Sequence, residues 1–181
     1  MPDESLWSTF FDVPYILNYL GIDRSVEDVV EFGCGYGTFA IPAAKVISGK
    51  MLTMDIEPGL VSKVVREGIE AGLTNIFGIT RDFLKDGTGL RDGSVDYVML
   101  FNILHDEDPQ SIFTEVRRIL RPAGRLGIIH WNYDSSTPRG PPMAIRPRPE
   151  QCREWAEQAG FQFERRCDLK PYHYGLVFRK K

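Results

Sequence analysis

The chain has 181 residues, 43% of them hydrophobic and 26% charged, with a formal net charge of −3. That length suits one domain burying roughly 70% of its unfolded surface, and it excludes a dinucleotide domain joined to a separate substrate domain. The charge and the lack of a sustained basic stretch argue against a nucleic-acid partner, and no apolar run approaches the roughly 20 residues needed to span a bilayer.

Residues 1–22 form an aromatic helical arm in which Trp7, Phe10, Phe11, Tyr15 and Tyr19 recur at three- and four-residue steps, as one helix or as two broken near Pro14. A first strand is predicted over 28–32, a helix over 38–48 and a second strand over 50–55. Glu57-Pro58 opens the next helix and Ala71-Gly72 stops it. Strands follow at 75–79 and 95–101. Asp108-Pro109 caps a helix that Pro122-Ala123-Gly124 ends, before a fifth strand at 126–131. The stretch 132–147 is a proline- and glycine-rich loop, long enough to be functional. A last helix starts at Pro149, and two strands close the chain around Pro171. The alternation predicts a single α/β domain with a core over 28–181: a Rossmann-like, doubly wound, mostly parallel seven-stranded sheet with one antiparallel strand near the C-terminus. The acidic N-terminus has no signal-peptide layout, and Cys34, Cys152 and Cys167 match neither a zinc spacing nor a disulfide framework. A reducing cytoplasm is the expected location.

The most telling segment is Val29-Val30-Glu31-Phe32-Gly33-Cys34-Gly35-Tyr36-Gly37-Thr38. A buried strand runs into a glycine turn at a helix start, which lets a ligand approach bare backbone, with unpaired N–H groups expected to face it. The third glycine comes one residue too early for the dinucleotide fingerprint. Glu31 would repel a diphosphate aimed into the turn but would accept an ammonium or sulfonium group. Cys34 fits there simply as a small residue. Asp55, beside Ile56 at the end of the second strand, is placed to accept ribose hydroxyls. That feature is shared by nicotinamide and methionine cofactors.

An acidic residue followed by G-x-G-x-G resembles the first motif of the class I S-adenosylmethionine-dependent methyltransferases. Asn102-Ile103-Leu104-His105 resembles the fourth motif of their small-molecule group, especially the quinone-biosynthesis C-methyltransferase-like members. The segment 120–126 is similar to their turn before strand five, with Ala123 in place of a glycine. The resemblance covers about residues 28–131 closely. It implies S-adenosylmethionine as cofactor, held by Glu31, Gly33, Cys34, Gly35, Gly37, Asp55, Ile56, Asp82, Phe83, Phe101 and Asn102, with Asp82 at the adenine amine. Phe83 either packs on the base or plugs the loop.

His105 is a candidate general base or a structural histidine, and His130 is catalytic only if alternation turns it into the pocket. A small-molecule acceptor would be enclosed by Trp7, Phe11 and Tyr15 of the arm and by Trp131, Tyr133 and Arg146 at the long loop. Arg139, Arg146 and Arg148 either pair with an acidic substrate or stay solvated. Two alternatives remain open: a catalytically silent cofactor-binding subunit that needs a partner protein, and a nicotinamide-dependent oxidoreductase. No metal is expected.

Overall fold

The computed structural model describes residues 3–105 and 108–181. The elements run α1 (Glu4–Ser8), α2 (Val13–Leu20), β1 (Val29–Phe32), α3 (Ala40–Val46), β2 (Met51–Asp55), α4 (Pro58–Glu70), β3 (Ile76–Thr80), α5 (Phe83–Asp86), β4 (Val95–Phe101), α6 (Pro109–Ile119), β5 (Leu120–Trp131), α7 (Pro149–Gln158), β6 (Phe161–Leu169) and β7 (His173–Lys180). Seven strands form one sheet in the order β3-β2-β1-β4-β5-β7-β6. Pairings among β1 to β5 are parallel, and β7 lies antiparallel to both β5 and β6. The strand order reverses between β1 and β4, so the crevice beyond their carboxyl ends is the natural ligand position.

Both faces of the central strands are covered, which explains their near-continuous apolar runs. On one face Val29, Met51, Met99 and Ile129 pack with Leu17 and Leu20 of α2, Ala40 and Ala43 of α3 and Val64 of α4. On the other, Val30, Phe32, Val98 and Ile128 pack with Phe113 and Val116 of α6 and Ala156 of α7. Strand alternation therefore sends Glu31 to the same side as Val29.

Three boundaries differ from the sequence reading. The arm is two helices, and the break falls before Pro14: Asp12 caps α2 by accepting from Tyr15 N, which leaves Pro14 in the first turn. The four-residue α5 was not anticipated; Asp82 caps it by accepting from Lys85 N. The helix before β5 stops at Ile119 rather than at Pro122. Leu120 is fully buried and already pairs with Val95; the register then slips before Tyr97 meets Arg125, and Ala123 sits at φ 60°. The segment that looks like a helix stop is thus a bulge within a longer strand.

The arm is tied to the sheet through its backbone. Tyr97 Oη donates to Leu20 O at 2.9 Å, and Arg165 donates twice to Tyr19 O at 2.9 and 3.1 Å. Gly127 makes room for that tyrosine, because a Cβ there would stand 2.4 Å from Tyr97 Oη. Tyr97→Phe should leave Leu20 O buried without its donor and lower stability by about 1–3 kcal/mol in urea unfolding; an unchanged midpoint and slope would remove this bond from the arm's anchorage.

Candidate active site

Gly33, Gly35 and Gly37 all adopt positive φ, at 73°, 51° and 78°. The turn reverses sharply between β1 and α3 because these positions carry no Cβ penalty. Its amides are not the open cradle expected from the sequence. Gly33 N and Cys34 N donate to Met54 O at 2.8 and 2.9 Å, and Gly37 N donates to Cys34 O at 2.9 Å. Gly35 N donates to Asp55 Oδ2 at 3.0 Å. With these donors engaged, the turn offers close approach rather than anion capture. A Cβ on Gly33 would lie 2.9 Å from Ile103 Cγ2.

Two connected clefts meet at Gly33 and Ile103. The larger, of about 260 Å³, is lined by Asp55, Ile56, Asp82, Phe83, Leu84 and His105 as well. The smaller, of about 120 Å³, is closed by Trp7, Glu31, Cys34, Phe39, Phe101 and Asn102 among others. Three acids and no lysine or arginine line the pair among the described residues.

Glu31 is buried, and its carboxylate accepts from Ala40 N while Oε2 has no partner among the described residues. Burial, reinforced by the nearby Asp55 carboxylate, holds its pKa well above the usual carboxylate range. Asn102 stands at φ 59°, with both side-chain amide atoms buried and unpartnered among the described residues. A left-handed non-glycine residue with an orphaned amide is strain retained at a site. Asp55 is engaged on both oxygens, by Gly35 N and by Glu57 N at 3.1 Å, so it shapes the turn as well as facing the cleft. An unpaired carboxylate oxygen and an unpaired amide together fit an α-amino-acid group, whose ammonium needs an acceptor and whose carboxylate needs a donor.

A methyltransferase domain model matches residues 29–124. The chain belongs to the methyltransferase domain family. An uncharacterised protein of transposon TN4556 from Streptomyces fradiae is 30% identical over 130 residues, which is 67% of this chain and 35% of that protein. Sterol 24-C-methyltransferase erg6 of Aspergillus fumigatus is 24% identical over 130 residues, 68% of this chain and 34% of its own. A SAM-dependent methyltransferase from Aquifex aeolicus superposes with a TM-score of 0.86 at 22% identity, covering 99% of this chain and 94% of the other. The chain spans only 34–43% of the first curated relatives' length. The cofactor is S-adenosylmethionine, and the acid-lined clefts fit its ammonium, sulfonium and ribose. The nicotinamide alternative fails on the same geometry, since a diphosphate would meet occupied amides and carboxylates.

The other side residues of the methyltransferase sort differently from the sequence reading. His105 lines the larger cofactor cleft and also a cavity of about 490 Å³ between the segment after β4 and the long loop. Tyr133 lines that cavity too, under Arg148. Arg146 does not offer itself to substrate. It is 7% exposed, and its guanidinium donates to the carbonyls of Asn132, Asp134, Arg139 and Pro141 and to Thr137 Oγ1. It staples the loop shut. Trp131 is 2% exposed and packs with Trp7, Phe10 and His173, so it is core rather than pocket wall. Phe11 sits between Phe39 and His173, beneath the cleft. Tyr15 is half exposed, meets the Tyr19 ring in a tilted contact, and lines neither of the two clefts nor the larger cavity.

His130 is fully buried, with neither ring nitrogen partnered among the described residues. Burial, aided by neighbouring His105, pushes its pKa down to about 3, and it lines neither the two clefts nor the larger cavity. His173 was not singled out from sequence. It is equally buried and is likewise pushed down to about 3, by burial and by Arg146. Ile103, which joins the two clefts, was read only as one apolar position of the fourth motif.

Two predictions follow from these charges. Glu31 has a raised folded pKa, so the stability it contributes is present below about 4.5 and is lost as pH rises through the higher folded value. Glu31→Gln should therefore raise the melting temperature of the free protein at neutral pH while weakening S-adenosylhomocysteine at least about tenfold by calorimetry; unchanged affinity would remove Glu31 from the site. The buried histidines act oppositely. Their neutral forms are favoured, so stability should fall as pH drops from 6.5 towards about 3, by about 1.4 kcal/mol per pH unit for each. His173→Phe should remove about half of that slope, and a slope that survives intact would contradict the assignment.

Proposed function

We propose that this methyltransferase moves a methyl group from S-adenosylmethionine to a small-molecule acceptor held in the cavity between β4 and the long loop. The observation that carries the reading is His105, which borders the cofactor cleft on one side and the roughly 490 Å³ cavity on the other. That volume is in the ordinary range for a small-molecule pocket. A cavity of that size beside the cleft supports a self-contained acceptor site over a silent subunit. The partner is a small molecule; a nucleic-acid acceptor finds little support in a chain of net charge −3. Among the described residues no helix is long and apolar enough to cross a membrane. Three buried thiols outside any disulfide suit a reducing cytoplasm, where this reading locates the protein.

The bound cofactor supplies an electrophilic methyl carbon on a positively charged sulfur. In this reading Glu31 and Asn102 hold its amino-acid end, Asp55 the ribose, and Asp82 with Phe83 the adenine. Trp7, Phe39 and Phe101 exclude water from the smaller cleft. Fixing nucleophile and methyl in line can supply about 7–11 kcal/mol of the barrier in favourable cases. His105 stands where the acceptor would lose its proton.

Purified protein given S-adenosylmethionine and a panel of phenols, amines and acids should release S-adenosylhomocysteine. Turnover of none of them by a protein that binds S-adenosylhomocysteine would favour the silent subunit. His105→Gln should lower kcat by about 10²-fold or more if the residue is a base, and S-adenosylhomocysteine affinity by much less; full turnover in the variant would leave His105 structural.

A further inference from the structure

The two halves of the site carry opposite charge. The cofactor clefts are lined by Glu31, Asp55 and Asp82 without a lysine or arginine, whereas the acceptor cavity is lined by Arg146 and Arg148 without an acid, among the described residues. The loop that encloses the cavity bears Arg139 and Arg146 against one acid, Asp134, and Arg148 follows it directly. Asp134 uses Oδ1 to hold Ser136 N at 2.8 Å.

The two lining arginines play different parts. Arg146 has its donors filled by loop carbonyls and a hydroxyl, so it contributes positive charge but no free donor. Arg148 is the reverse. It is exposed, its guanidinium carbon lies 3.7 Å from the Tyr133 ring centroid, and none of the ion pairs among the described residues includes it. The contact with the tyrosine face holds the guanidinium at the cavity and uses none of its N–H donors in an ion pair. Leu104, Ile145 and Trp155 give the same cavity an apolar wall. A planar fork beside an apolar wall matches a carboxylate on an aromatic or aliphatic body.

We propose that the methyl acceptor is a small carboxylic acid whose carboxylate is paired by Arg148 and whose body lies on the Leu104–Ile145–Trp155 wall. The inference rests on the methyl-transfer reading of the site. It makes Arg148 a specificity-determining residue. The arrangement keeps an anion out of the acid-lined cofactor cleft and a cation out of the acceptor cavity, so each ligand enters its own half.

The test is calorimetry on protein saturated with S-adenosylhomocysteine, using matched acid and amide pairs: benzoate with benzamide, cinnamate with cinnamamide, indole-3-acetate with indole-3-acetamide. At least one acid should bind about tenfold or more tightly than its amide. Arg148→Gln should erase that preference, Arg148→Lys should retain part of it, and neither should change S-adenosylhomocysteine affinity. No acid preferred over its amide, or a preference undiminished in Arg148→Gln, would overturn the proposal while leaving methyl transfer standing. If S-adenosylhomocysteine itself does not bind, the methyl-transfer reading and this inference fall together.

Discussion

Two carboxylates buried near one another, with no lysine or arginine among the described residues of the clefts they line, are the constraint around which this site is organised. Glu31 lies on β1 and Asp55 ends the adjacent β2, and the parallel register that pairs Glu31 with Thr53 keeps the two near each other. Burial, with the Asp55 carboxylate nearby, raises the cost of ionising Glu31. A fold selected only for stability would place an apolar residue at position 31, as it does at 29, 30 and 32. In the reading proposed above, a cationic ligand completes the retained acid.

The glycine turn, the orphaned amide of Asn102 and the filled backbone donors all read consistently with that constraint. Because Gly33, Cys34, Gly35 and Gly37 already have acceptors, the turn does not compete for an anion. The charge then changes sign across His105, from the acid-lined clefts to a cavity whose described charged lining residues are arginines, besides His105 itself. Arg146 underlies that change: by bonding loop carbonyls it packs a long irregular segment tightly enough to leave Arg148 and Tyr133 facing the cavity. Buried backbone carbonyls without such a donor would be costly.

Much of the architecture was legible in the sequence because its signals are local. Val95 to Phe101 reads as a strand from its apolar run, and Asp108-Pro109 reads as a helix start from its capping chemistry. The misreadings arose where tertiary contacts override local rules. Pro122-Ala123-Gly124 looks like a helix stop, yet buried Leu120 draws the chain into the sheet and the segment becomes a bulge. The acids that line the clefts, Glu31, Asp55 and Asp82, were visible because a carboxylate in or after a buried strand stands out against its neighbours. The acceptor side was not, since Arg139, Arg146 and Arg148 are equivalent in sequence and differ only in what their guanidinium groups touch. Trp131 was misplaced, and His130 left open, for the same reason: alternation gives a face but does not say that aromatic side chains from the arm and β7 cover it.

The central claim is that a buried, protonation-prone Glu31 becomes a carboxylate against the ammonium of the cofactor. Calorimetric titration of S-adenosylhomocysteine near pH 6 in two buffers of different ionisation enthalpy measures this directly. The account predicts binding accompanied by net proton release that disappears in Glu31→Gln. Absence of binding, or binding with no proton exchanged, would contradict it.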